Sequence, residues 1–355
     1  MIERNKPWAR ESFRSFAATL LMLVVASSAL AQDTVVLKKR TGRSSNVLGK
    51  ITSTSRNAIE LAASSGTKKI DVVDIRRVTF SGEPGGLKTA RRSMISEQYE
   101  QALDALERIQ PDSRDSKIVL EEIEFCKAYS QGMLALRGES DAKQAASALA
   151  RFLKKNNESF HYYESAELLG DLAVMLGMFD AAAKYYGAFA QAPFPEYKLR
   201  GGILEANALR ITEQYAEAEQ KYAEVLRIPA AGEEAIRQKT LAEIGHAACL
   251  AAKGDESAIT AIDSVIANND PTDGGILAPA YNALGLAYLK TGKKMDAALA
   301  FLHVDVLFFG QRNEHAEALY NLSSLWNDLN KPGRAVEARQ ILTQRYAGTV
   351  WAKRS

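Results

Sequence analysis

The chemistry-bearing residues of this chain are few and widely spaced. In "LHVDVLFF", residues 302–309, His303 stands two places before Asp305. A base and its orienter could be built from such a pair. On a helix, however, side chains two apart diverge, and no nucleophile accompanies them. "FSGEPGGLKTARR", residues 80–92, is Gly-rich, follows a strand-like run and carries Lys88-Thr89. A phosphate loop needs Gly directly before that Lys-Thr pair so that backbone N–H groups can wrap the anion. Leu87 occupies the place, and no strand–helix–strand pattern surrounds it, so the stretch reads as a linker. His161, His246, His303 and His315 show no HExxH spacing, and Cys126 and Cys249 form no CxxC. "HYYE", residues 161–164, reads as the aromatic start of a helix, with carbohydrate stacking as the alternative. No catalytic, cofactor-binding or metal site is expected, and the chain reads as a non-enzyme.

The elements that would position these residues fall into three zones. Residues 1–31 carry Arg4, Lys6, Arg10 and Arg14, then the apolar run "FAATLLMLVVASSALA". This is the pattern of an export signal, with cleavage expected after Ala31. An uncleaved anchor is the alternative, but the run is shorter than the roughly 20 residues a spanning helix needs. The whole chain carries a formal charge of +2. The signal holds four basic and two acidic residues, so the mature chain is neutral, with no long-range attraction for nucleic acid or anionic lipid. Periplasmic or secreted localisation follows as an expectation.

Residues 32–82 contain five short runs with β-branched residues and partial alternation, separated by clusters such as "TGRSSN" and "ASSGT". They predict a small five-stranded antiparallel barrel, which resembles SH3-like or Sm-like barrels. An Sm-like barrel would imply RNA binding; export and the lack of a basic or aromatic stripe argue against it. Residues 83–90 are read as linker and start of the first helix.

From residue 87 to 355 the helical period dominates. Tyr281-x2-Leu284-Gly285-x2-Tyr288 is followed by Ala297-x3-Phe301. Two antiparallel helices approach closely only where both carry small residues. The same seam, a small residue, then Ala twelve later, then a large residue four beyond, returns as Ala90/Ala102/Leu106, Gly170/Ala182/Tyr186, Ala206/Ala218/Tyr222 and Ser323/Ala335/Arg339. Gly245/Ala258/Ile262 fits with one extra residue. With a less regular hairpin over 117–155, seven hairpins are expected.

This pattern resembles the tetratricopeptide repeat (TPR), with Tyr281 in place of the usual Trp and units longer than 34 residues. The last unit, "RAVEARQILTQRYAGTVWAKRS", is similar to terminal repeats of periplasmic TPR proteins. The resemblance implies a mainly α fold: a solenoid whose first helices line a concave groove for partner proteins. Carried onto the seam positions, it places Glu164, Glu167 and Asp171 in that groove, followed by Arg200, Asn207 and Arg210. Lys239 and His246, with Cys249, come next, then Asn282 and Leu289, then Glu317, Tyr320 and Asn327. Alternatively, Glu167 and Asp171 pair with Arg200 or Arg210 of the next repeat. The expected role is an adaptor of the bacterial envelope that binds other proteins. The second reading is a binder of peptidoglycan or glycan through the β module, with the repeats as spacer. Cys126 and Cys249 fall three hairpins apart, beyond the roughly 7 Å reach of a disulfide, and are expected as free buried thiols.

Overall fold

The computed structural model describes residues 32–38, 45–110 and 116–354. The export signal read over residues 1–31 lies outside them.

The β-branched runs form strands β1 (Asp33–Leu37), β2 (Asn46–Thr54), β3 (Ala58–Ala63), β4 (Gly66–Asp71) and β5 (Ile75–Thr79). They pair antiparallel in the order β4-β3-β2-β1-β5. The expected barrel is not closed: β4 and β5 are the two edges, and no ladder joins them. The reason lies in the side chains. β4, "GTKKID", buries only Ile70, so it offers little apolar surface to fold inward. The apolar face of the sheet is covered by helices instead. Val35, Ile59, Leu61 and Val78 share one core with Leu87, Leu106 and Ile123.

Seven antiparallel hairpins follow: α1 (Gly85–Ile95) with α2 (Tyr99–Glu107), α3 (Lys117–Arg137) with α4 (Ala142–Lys155), and α5 (Tyr162–Met175) with α6 (Phe179–Tyr186). Next come α7 (Pro195–Ile211) with α8 (Tyr215–Leu226), α9 (Glu233–Ala252) with α10 (Ser257–Asn268), α11 (Gly274–Lys290) with α12 (Lys294–Leu307), and α13 (Arg312–Asp328) with α14 (Pro332–Arg345). A last short helix, α15, spans Val350–Arg354. The fold is therefore mainly helical, with the hairpin stacking that the tetratricopeptide resemblance implies.

Each hairpin turns by the same backbone device. One residue adopts a left-handed φ: Glu97, Gly138, Gly177, Glu213, Gly254, Gly292 and Asn330. The next residue's N–H reaches back to a carbonyl five places earlier, as in Gln98 to Ser93, Met178 to Ala173 and Lys331 to Trp326. This is the Schellman closure, which satisfies carbonyls left unpaired at a helix end.

The small-residue seam is buried as expected: Ala90, Ala102, Ala182, Ala206, Ala218, Ala258 and Ala297 have no exposed surface. A Cβ placed on Gly170 would lie 2.3 Å from the Tyr186 ring, and one on Gly285 2.6 Å from Phe301. The irregular second hairpin has a seam too, Gly132/Ala145/Leu149, with the same extra residue as the fifth. Arg339 departs from the pattern: it is exposed, while Leu342 and Tyr346 fill the interior of the last hairpin.

The stack also curls back on itself. Arg312 donates to the carbonyl of Arg137 at the end of α3, and Lys353 to that of Met175 at the end of α5. Arg354 donates to that of Ile211 at the end of α7. Cations at helix C-termini are favoured by the dipole and by the unpaired carbonyls there. The last hairpin and α15 thereby close against hairpins two to four.

Candidate functional site

Between the sheet and the first helices of the hairpins lies a cleft of about 1350 Å³. One wall is the outer edge of β5 and the turn before it, residues 72–78, with Lys38. The other is formed by α3, α5, α7 and the start of α9. Aromatic side chains line its floor. Phe125 packs on Tyr129 with ring centroids 5.4 Å apart, and Tyr163 on Tyr197 at 4.8 Å.

A buried charge network holds the walls together. Arg91, on α1, donates to Glu83 at 2.6 Å and to Glu122, on α3, at 2.9 Å. The ring of His161, at the start of α5, lies flat on Phe125 with centroids 3.5 Å apart. Its Nε2 is 2.9 Å from Glu122 and its Nδ1 3.2 Å from Glu164. Burial disfavours charge on the imidazole, but the two carboxylates outweigh it and raise its pKa to about 9. Burial likewise works against ionised Glu122, yet His161 and Arg91 hold its pKa below the ordinary glutamate value. Arg56, from the turn between β2 and β3, caps the junction: its guanidinium sits 4.0 Å over the Tyr162 ring. Asn57 accepts a 3.0 Å hydrogen bond from the Tyr163 hydroxyl. The sheet is thus docked on the second and third hairpins.

The groove residues read from sequence separate into groups. Glu164, Glu167 and Arg200 line the cleft. Arg200 Nε donates to Glu167 at 3.0 Å, the pairing alternative raised above. Asp171 instead accepts a 2.7 Å bond from Tyr186; burial and Glu167 push its pKa up to about 7 against the pull of Tyr186 and Arg200. Asn207 accepts from Tyr222. Arg210 reaches across the superhelix to Glu317 at 2.7 Å, so these two close a gap rather than flank an open channel. Lys239 is half-buried. His246 lies 3.9 Å from Glu219. Asn282 is buried and donates to the Glu314 carbonyl at 2.8 Å, tying α11 to α13. Leu289 packs in the core of the C-terminal hairpins. Tyr320 is covered by Trp351 at 5.4 Å, and Asn327 donates to Ser323 within its own helix.

The sequence reading missed Glu83, Arg91, Glu122, the double bonding of His161, and the β5 wall. A signal existed for two of them: Arg91 and Glu122 interrupt faces that are otherwise apolar. Asp305 does bind a histidine, but it is His315, at 2.7 Å. The other His315 nitrogen meets the Tyr346 hydroxyl at 2.6 Å. Tyr346 and His315 are only 1% and 3% exposed, so this trio braces the last hairpins. His303 bonds the Leu299 carbonyl and stacks on Tyr281. Lys88 and Thr89 lie on α1, where Thr89 donates to the Gly85 carbonyl. Cys126 and Cys249 are free and buried. Burial raises both thiol pKa values, that of Cys249 to about 11, so neither is an activated nucleophile. Among the described residues no group of three or more His, Cys, Asp or Glu is arranged to hold a metal, and no helix is long and apolar enough to cross a membrane.

No protein-family profile and no curated protein matches the chain. Among solved structures it is similar to a Rap protein complexed with competence and sporulation factor, at 15% identity, covering 75% of this chain and 76% of that one, with a TM-score of 0.49. It is also similar to the apo form of RapI, at 13% identity over 76% of each chain and a TM-score of 0.44. A third is PilW, a type IV pilus biogenesis factor, at 15% identity over 68% of this chain and 99% of that one, with a TM-score of 0.39. With each TM-score below 0.5, the description of the helical fold rests on the chain's own hairpin geometry.

Proposed function

We propose that this chain is a non-catalytic scaffold that holds a segment of a partner protein in the cleft between β5 and the first helices of hairpins two to five. The observation that carries the reading is the cleft itself. Its volume of about 1350 Å³ exceeds the roughly 300–1,000 Å³ of small-molecule pockets. Aromatic and charged side chains line it; the thiol among them, Cys126, lies 3.9 Å from Glu122 but is buried with its pKa raised well above the ordinary value, so the lining suits recognition rather than nucleophilic catalysis. Of the other groove positions read from sequence, Arg210 is paired with Glu317 and Tyr320 packs on Trp351. Export with cleavage after Ala31 would place this activity in the bacterial envelope.

The test is affinity capture from envelope extracts with residues 32–355, since the sheet shares its core with the helices and is not separable. A Glu233→Lys/Glu234→Lys variant changes two exposed side chains of the cleft that lie outside the His161 network. The scaffold reading expects protein partners to be retained by the parent and lost by the variant. Sedimentation with cell-wall sacculi, unaffected by the variant and without protein partners, would overturn it in favour of a polymer binder.

A further inference from the structure

Resting on the scaffold reading, we propose how the partner is held: an extended segment of mixed charge adds a strand to the free edge of β5. Three independent features meet there.

The first is the backbone. β5 pairs with β1 on one side, and its other side faces the cleft. Among the described residues, no helix or loop backbone bonds Arg76, Arg77 or Val78. An edge strand with nothing over it presents a row of N–H and C=O groups that only another extended chain can match in register.

The second is a β-bulge. Val36 faces Arg77 while Leu37 faces Ile75, so Arg76 is the extra residue. The bulge breaks the alternation and leaves Arg76 and Arg77 both exposed, beside exposed Lys38. Neither guanidinium has a carboxylate partner among the described residues. Charges and bulges on an edge discourage indiscriminate pairing, so this edge rejects an apolar or cationic strand and accepts one that carries carboxylates.

The third is the facing wall. There Glu233 and Glu164, the latter also bonded to His161, are exposed toward the same cleft, while Arg200 and Arg237 of that wall are paired with Glu167 and Asp273; the remaining carboxylates favour Lys or Arg on the occupant's other side. Tyr129 and Tyr197, half-buried on the same wall, offer aromatic surface to its apolar residues. Opposite charges on opposite walls also set the direction in which a segment can lie.

The probes are three twelve-residue peptides with the same Val and Leu content: one with Glu and Lys, one with Glu only, one with Lys only. A fourth is the mixed peptide with N-methylated alternate amides, which cannot complete a ladder. Binding to residues 32–355 is read by fluorescence anisotropy, and amide hydrogen exchange reads residues 75–79. The mixed peptide should bind at least tenfold more tightly than either single-sign peptide and slow exchange at Arg76–Val78 at least tenfold. N-methylation, and separately Arg76→Glu/Arg77→Glu, should each weaken it at least tenfold. Equal binding of the N-methylated peptide with unchanged exchange at β5 overturns strand addition while leaving the scaffold reading standing. Equal binding of the Lys-only peptide overturns the charge argument. Binding of none of the four overturns the proposal, and the capture experiment above then judges the scaffold reading separately.

Discussion

Gly285→Ala adds one methyl group at the seam of the sixth hairpin, and the structure says where that methyl must go. Its Cβ would lie 2.6, 2.7 and 2.8 Å from Cε1, Cζ and Cδ1 of Phe301. Carbon atoms pack best at about 3.5–4.0 Å, so the ring must retreat by roughly 1 Å. Phe301 has no exposed surface and is enclosed by the core of hairpins five to seven. Overpacking of this kind costs about 1–3 kcal/mol. Alanine is better than glycine in a helix by about 1 kcal/mol. The expected net is a destabilisation of about 1 kcal/mol, or a fall in Tm of roughly 2–4 °C. Gly333→Ala is the control: the same chemical change near the start of α14, where a Cβ meets nothing within 4 Å. It should stabilise by a few tenths to about 1 kcal/mol. Adding Phe301→Leu to Gly285→Ala makes room for the methyl, so the pair should show a favourable coupling of about 1 kcal/mol or more. Urea and thermal denaturation of the four variants read all of this. If Gly285→Ala stabilises as Gly333→Ala does, and shows no coupling to residue 301, the close-approach account of the hairpins is wrong.

Three further outcomes follow from named contacts. His161 has a folded-state pKa of about 9 against an ordinary value near 6.5, so its contribution is complete below pH 6.5 and is lost as pH rises through 9. Urea midpoints should therefore fall between pH 6.5 and 9.5, by up to about 3 kcal/mol in stability, and His161→Gln should flatten that limb; a midpoint that is pH-independent in this window would refute the doubly bonded imidazolium. Arg210→Ala strands Glu317, whose side chain is 14% exposed, and should cost about 2–4 kcal/mol and enlarge the scattering radius, with Glu317→Gln recovering part of the stability. Glu213 sits at φ +62° in the turn between α7 and α8, a conformation that disfavours any residue with a Cβ; Glu213→Gly should raise stability by about 1 kcal/mol, measured by thermal denaturation, and a loss of stability would show that its side chain matters more than its backbone.

The parts of the fold that could be read from the chain are those in which one residue type answers one local demand. A close helix crossing requires a small side chain, so Gly170, Ala182, Gly285 and Ala297 announced their hairpins, and their spacing located the turns. Gly177, Gly254 and Gly292 mark turns for a different local demand, a left-handed φ. The turns at Glu97 and Glu213 were hidden, because their residues are tolerated in the left-handed region rather than suited to it. The seam Gly132/Ala145/Leu149 was missed although its spacing matches that of Gly245/Ala258/Ile262, because it falls within the stretch 117–155 read as a less regular hairpin.

The candidate site was far less legible. Its network runs from Glu83 to Arg91, from Arg91 to Glu122 and from Glu122 to His161, across 8, 31 and 39 residues. The closure by Arg210 and Glu317 spans 107. A charge on a helix face looks the same in sequence whether its partner is water or a carboxylate from a distant hairpin. The expected barrel failed on closure for a similar reason. Alternation reports which side of a strand is apolar, and says nothing about whether another strand or a helix will cover it.

Local sterics and periodicity are properties of the chain itself, and they determined the strands, the seven hairpins and the buried seam. The small curvature at each hairpin accumulates over the stack, and only that sum brings the last hairpin onto hairpins two to four and leaves the edge of β5 facing the cleft. Which charges meet, and which backbone is left open to a partner, were therefore decided by the tertiary structure.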